Sequence, residues 1–201
     1  MVCGGKGAIM CGRYNFSAEE SREISKIIEE VQRKYGASSI KTGEIYPTNQ
    51  VAVLVQEQNE LQPQPVIWGF PNFRSKSGVI INARSETAEE KRTLAESLKV
   101  RRCVVPTSGF YEWTQDKDKT KYLFHCSGGG VLYLAGLYND YGDERRMVIL
   151  TTAANKSVSD IHNRMPVVLS ENELSDWVGN PNRALEILHR QGPLLEKVAV
   201  S

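Results

Sequence analysis

The chain has 201 residues, 40% of them hydrophobic and 24% charged, with a formal net charge of +1. That length fits one domain able to bury roughly 70% of its unfolded surface, and the mixture excludes the disordered, collagen-like and disulfide-stapled classes. A charge so near zero leaves no global footprint for nucleic acid, so any such binding needs a local basic patch.

Residues 1–9 are glycine-rich and aperiodic and read as a leader, a tag or an upstream start, which puts the domain proper at 10–201. No apolar h-region stands there, and no apolar run approaches the ~20 residues of a membrane span. A soluble, intracellular chain without a membrane partner is expected. Its four cysteines, Cys3, Cys11, Cys103 and Cys126, show no C-x-x-C spacing, which fits a reducing compartment.

The clearest helix is 17–35, with Ser17 and Glu20 at capping-box spacing, Ile24, Ile27, Ile28 and Val31 on one face, and Gly36 after it. From Pro47 the texture turns to short β-type runs at 51–55, 66–70, 79–81, 103–105, 110–113, 122–126, 131–138 and 147–152. Helical pattern returns at 87–98, 170–178 and 181–189, and a last strand is expected at 194–200. No repeat or linker divides the chain, and strands do not alternate with helices as βαβ units would. The expected fold is a single α+β domain, its core a curved, mostly antiparallel sheet or open β-barrel with peripheral helices.

Cys11 lies between Met10 and Gly12. Were translation to start at Met10, removal of that methionine would leave a cysteine with a free α-amine beside its thiol. Near pH 7.4 roughly a fifth to a third of such an amine is unprotonated, against about a thousandth of a lysine. It forms imines readily, and the thiol can then close a thiazolidine on an aldehyde. The plainer reading is a small buried residue at the start of a strand.

Glu112 sits between Tyr111 and Trp113 in a β segment, so its side chain points away from theirs, either to solvent or into a polar cavity suited to acid/base work. His162, in a short segment halted by Pro166, is a capped loop histidine or a proton shuttle. Asn82 and Arg84 emerge on one face at period two and can bind a sugar-phosphate or close a turn. Trp68, before Gly69, is core or a base-stacking platform. No zinc spacing, P-loop, G-x-G-x-x-G or G-x-S-x-G is present, so no metal or cofactor is expected.

Taken in order, Met10-Cys-Gly-Arg-Tyr14, Tyr46-Pro-Thr48, Trp68-Gly69, Ile81-Asn-Ala-Arg-Ser-Glu-Thr87, Gly109-Phe-Tyr-Glu-Trp113 and Ile161-His-Asn-Arg-Met-Pro166 resemble the SRAP family (SOS response-associated peptidase) over 10 to about 188. The resemblance implies a sensor and shield of abasic sites in single-stranded DNA, part of the DNA damage response, in which the N-terminal cysteine is linked covalently to the sugar aldehyde. It implies that Cys11 is the thiazolidine-forming nucleophile, that Glu112 helps open the sugar and process the imine, that Asn82 positions sugar and cysteine, and that His162 is a second acid/base. Arg13, Arg84 and Arg164 match phosphate-binding arginines, with Arg92 and Thr151 as companions. A monomer is implied, cytoplasmic, nucleoid-associated in a bacterium or nuclear in a eukaryote. While residues 1–9 remain attached, Cys11 carries an amide and the amine chemistry is closed, so removal of the leader, by self-cleavage in the sense of the peptidase name, belongs to this reading.

Other classes compete. An N-terminal-nucleophile amidohydrolase also opens on Cys-Gly but needs two stacked sheets flanked by helices, which the strand-rich middle disfavours. A cysteine peptidase proper would use Cys11, His162 and Glu112. A passive single-strand binder would need only Arg13, Arg84, Arg164 and Trp68.

Overall fold

The computed structural model describes residues 12–73 and 78–200. The expected leader, 1–9, and Cys11 lie outside the described residues. In chain order, β1 (Arg13–Phe16) leads to α1 (Arg22–Tyr35), whose first turn is capped by Ser21, the hydroxyl accepting from the N–H of Glu23 and Ile24. The cap therefore sits four residues later than the Ser17 reading; Ser17 instead closes a turn, its carbonyl accepting from Glu20 N. The apolar face is as expected, with Ile24, Ile27, Ile28 and Val31 buried.

β2 (Gly43–Ile45) precedes a long hairpin of β3 (Gln50–Glu57) and β4 (Glu60–Trp68). Gln58 and Asn59 both take positive φ at its tip, the backbone that a tight two-residue turn matched to strand twist requires. β5 (Phe70–Pro71) and β6 (Val79–Ile80) pair, and β7 (Asn82–Arg84) runs into a 3-10 turn at Ser85–Thr87. That turn explains why α2 (Arg92–Val100) begins later than the expected position 87. β8 (Arg102–Thr107), β9 (Gly109–Trp113), β10 (Lys121–His125), β11 (Leu132–Tyr141) and β12 (Glu144–Ala153) follow. The chain closes with β13 (Arg164–Pro166), β14 (Val168–Leu169), α3 (Leu174–Gly179), α4 (Pro181–His189) and β15 (Glu196–Val200).

The result is a single α+β domain built on a barrel. Antiparallel pairings join β4 to β3, β3 to β8, β8 to β11 and β11 to β12, and a short parallel pairing of β12 with β4 closes the ring of five strands. The expected mostly antiparallel barrel is thus closed, and the closing contact is brief, Arg146 opposite Ile67 and Met147 opposite Trp68. The sequence gives the reason: Pro63 and Pro65 in β4 have no N–H to donate, and they fall on the stretch where β4 pairs with β3 alone.

A second antiparallel sheet, ordered β15-β10-β9-β1-β2, leans on the barrel. β8 crosses from one to the other through Thr107, Ser108 and Gly109, where Ser108 N donates to Asn15 O at 2.9 Å. Gly109 is required at that crossing: a Cβ there would stand 2.5 Å from the carbonyl oxygen of Phe124. α1 packs on the β3–β4 hairpin, α2 on β8 and β11, α3 on β8 and β3, and α4 on α3, α2 and the Ser85–Thr87 turn. Among the described residues no helix is long and apolar enough to cross a membrane.

Candidate active site

The site grows from two strand ends that the fold brings together. The first is β9. Its partner β1 is held in the register Arg13 opposite Tyr111, so the chain enters the fold beside Glu112. Glu112 lies opposite Tyr122 of β10 and is only 2% exposed, which settles the choice between solvent and interior in favour of the interior. Arg13, at the start of β1, holds its guanidinium 4.6 Å from the centre of the Tyr46 ring and 5.1 Å from that of Trp113, with Nη1 3.3 Å from Glu44 Oε1. Lys121 Nζ reaches the same Glu44 oxygen at 3.1 Å and lies 4.1 Å over the Tyr111 ring. Cations over aromatic faces are worth about 0.5–1 kcal/mol each when exposed, so this corner orients Arg13 without fixing it.

The second strand end belongs to β12. β7 runs parallel to it, setting Asn82 against Ile149 and Arg84 against Thr151, while β13 pairs antiparallel with its last residues, setting Ala153 against Arg164 and Thr151 against Pro166. Asn82 is half-buried and Arg84 exposed. Thr151 is buried, and its Oγ1 donates to Ala83 O at 3.4 Å. Arg164 reaches over Thr151: Nη2 donates to the Thr151 carbonyl at 2.7 Å and to Glu86 Oε2 at 2.8 Å, and Nη1 donates to Glu86 Oε1. The pair is bidentate, and the Arg164 guanidinium holds the Glu86 carboxyl below the usual carboxylate range.

His162 stands immediately before that arginine. It is 4% exposed, and its Nδ1 accepts from the backbone N–H of Arg164 at 3.1 Å. Burial pushes its pKa below the ordinary imidazole value, so it is neutral at pH 7. The turn at 159–163 that carries it and the 114–116 loop leaving β9 face one another across a cleft of about 500 Å³. Through that cleft the β9 end and the His162 turn belong to one region.

Not every expected residue joins it. Trp68 is fully buried; its Nε1 donates to Ile81 O at 3.0 Å and its ring packs on Tyr14 at 5.2 Å. It is therefore a core residue in this structure and presents no face to a base, because it lies on the same inward face of β4 as Val66. The next position needs glycine: φ at Gly69 is +121° and a Cβ would lie 2.7 Å from Val79 Cγ2. Arg92 sits exposed on the first turn of α2 and shares no hydrogen bond or ion pair with the other site residues among those described. Cys11 lies outside the described residues. The sequence assigned no role to Glu44, nor to Tyr46 and Glu86 beyond their places in the motif segments. Glu86 carried a signal all the same, two residues after Arg84 in the segment that continues β7.

The family model described as SOS response associated peptidase (SRAP) matches residues 10–201. The abasic site processing protein YedK of Escherichia coli (strain K12) is 29% identical over 177 residues, 84% of this chain and 79% of that protein. The abasic site processing protein YoqW of Bacillus subtilis (strain 168) is 28% identical over 190 residues, 86% of this chain and 82% of that one. In fold, a crystal structure of a protein from Bacteroides thetaiotaomicron superposes with a TM-score of 0.75 over 95% of this chain and 92% of that chain, at 20% identity.

Proposed function

The chain belongs to the SOS response associated peptidase (SRAP) family, and from that premise we propose that it processes abasic sites in DNA, capturing the sugar aldehyde of a single-stranded site through Cys11. The observation that carries this reading is the pairing of Arg13 with Tyr111: it ties the segment that follows Cys11 to the strand bearing the buried Glu112.

In the proposed reaction the α-amine of Cys11, freed of residues 1–10, adds to the open-chain aldehyde. The resulting carbinolamine loses water to give an imine, and the thiol then adds across C=N, its proton passing to nitrogen, to close a thiazolidine. Only one water leaves. Expelling it needs an acid, the part proposed for the Glu112 carboxyl in its protonated form, while the neutral imidazole of His162 suits the acceptance of a proton. Asn82, half-buried at the start of β7, would position the sugar. Arg84, exposed beside Thr151, is the readiest phosphate contact of the expected set. Arg13 can serve from its aromatic cradle, and Arg164 only by releasing Glu86. The domain acting as a monomer, with the 1–9 leader removed by self-cleavage and Met10 removed as well so that Cys11 is the first residue, completes the proposal.

The experiment compares chains beginning at Cys11, with and without Cys11→Ser, and the full 201-residue chain, each checked by intact mass, on abasic and undamaged single strands in denaturing gels. A shifted band specific to abasic DNA, present only with an N-terminal Cys11, is expected. An equal band with the uncleaved full chain would show that the amine is not used; passive binding without any covalent band would leave only the single-strand binder. Leader loss that depends on Glu112 or His162 would support self-processing.

A further inference from the structure

Register in the second sheet decides which side chains share a face. β1 sets Arg13 opposite Tyr111 and Asn15 opposite Glu44, and β10 sets Lys121 opposite Trp113. Paired positions on neighbouring strands point the same way, so these six side chains lie on one face, while Glu112 and Tyr122, one position along, lie on the other. On the shared face Lys121 Nζ and Arg13 Nη1 converge on a single atom, Glu44 Oε1, at 3.1 and 3.3 Å. Among the described residues Glu44 is the one acid that either cation pairs with, although a guanidinium and an ammonium carry far more N–H donors than one carboxylate oxygen accepts. We propose that Lys121 and Arg13 form one binding site for a backbone phosphate of single-stranded DNA, and that Glu44 occupies this site until the strand displaces it. This rests on the reading of the chain as a binder of single strands, and it adds Lys121 to the residues that reading uses.

Glu44 is held weakly enough to leave. The side chains of Arg13, Lys121 and Glu44 are 39%, 17% and 29% exposed, and ion pairs open to water add little. The rings keep both cations in place without it, Arg13 over Tyr46 and Trp113, and Lys121 over Tyr111. A phosphodiester brings a full charge and a pair of unesterified oxygens, so one can meet the guanidinium while the other meets the ammonium. The nearby charges are engaged elsewhere. Glu20 accepts from Asn15 Nδ2 at 3.0 Å, and in the loop between β9 and β10 Lys117 and Lys119 alternate with Asp116 and Asp118. Tyr46 is 41% exposed, and an aromatic surface beside a phosphate site suits a single strand, whose bases stack, rather than a free phosphate.

The test titrates the full chain onto an undamaged single-stranded oligonucleotide by fluorescence anisotropy over a range of potassium chloride concentrations, with folding checked by circular dichroism. Lys121→Gln flattens the log–log salt slope by ~0.7, the share of one phosphate in a single strand, and Lys121→Arg, which keeps the cation, retains the slope. Glu44→Gln tightens binding by up to roughly fivefold, the weight of an exposed ion pair, and that gain shrinks in the Lys121→Gln background. Glu20→Gln removes a charge of the same sign nearby, on a side chain that pairs with neither cation, and gives a smaller gain. An unchanged slope in folded Lys121→Gln, equal gains from Glu44→Gln and Glu20→Gln, or looser binding in Glu44→Gln would overturn the proposal. Should Lys121→Gln fail to fold, the comparison of Glu44→Gln with Glu20→Gln decides. Inorganic phosphate at matched ionic strength leaves the strand bound; displacement that Lys121→Gln abolishes would give the site to free phosphate and overturn its assignment to DNA. Failure of a chain beginning at Cys11 to crosslink abasic DNA would sink the capture reading and leave these slopes standing, whereas unchanged slopes sink the phosphate site alone.

Discussion

The backbone N–H of Arg164 donates to Nδ1 of His162 at 3.1 Å, so the neutral ring carries its proton on Nε2. Burial of the ring opposes a second proton.

A pH dependence of stability follows. The pKa of His162 is lowered on folding, so below the unfolded value of ~6.5 the unfolded chain binds more protons than the native one. Native stability is full above that pH and is lost as pH falls toward the lowered native value, below which the loss levels off. Urea unfolding from pH 8 to 5 should show a decline in the wild type that is smaller in His162→Gln. Equal declines in both would mean that other groups, not this imidazole, carry it.

The two arginines that flank Thr151 should differ in how they answer to salt. Arg84 is exposed and free to meet phosphate, so Arg84→Ala should flatten the salt dependence of single-strand binding by ~0.7 in log–log slope. Arg164 is already neutralised by Glu86, so Arg164→Ala should change the slope by less than about half as much. Equal losses would show that DNA pulls Arg164 off Glu86.

Arg102 is buried and donates to the main-chain carbonyls of Leu98 at 2.6 Å and Val178 at 2.9 Å, as well as to those of Lys99 and Trp177. One guanidinium thus satisfies the last carbonyls of α2 and the end of α3 together, which no intrahelical bond can do. Arg102→Met fills similar space but orphans those acceptors, and should cost about 3 kcal/mol in urea unfolding. A cost under ~1 kcal/mol would mean that water replaces the guanidinium there.

Trp68→Phe separates packing from stacking. Loss of the Nε1 bond to Ile81 and of part of the ring should cost about 2 kcal/mol of stability. DNA affinity per folded molecule should not change, because the ring is buried against Tyr14. Weakened binding at full folding, measured by fluorescence anisotropy, would restore the stacking role.

What the sequence determined alone was what depends on local order. The 3.6-residue spacing of Ile24, Ile27, Ile28 and Val31 fixed the buried face of α1, Asn180 and Pro181 fixed the start of α4, and alternation placed Glu112 opposite its aromatic neighbours. The motif order from Met10 to Pro166 carried the family. The tertiary structure decided what depends on contacts between distant segments. Closure of the barrel rests on two residue pairs between β12 and β4 that leave no periodic trace. Trp68 became core rather than surface because β1 brings Tyr14 against its ring and Ile81 accepts from its Nε1, and a tryptophan reads alike in either place. Glu86 met Arg164 across 78 residues, and an ion pair formed over that distance has no signature in spacing, since only the strand order around β12 brings the two side chains together.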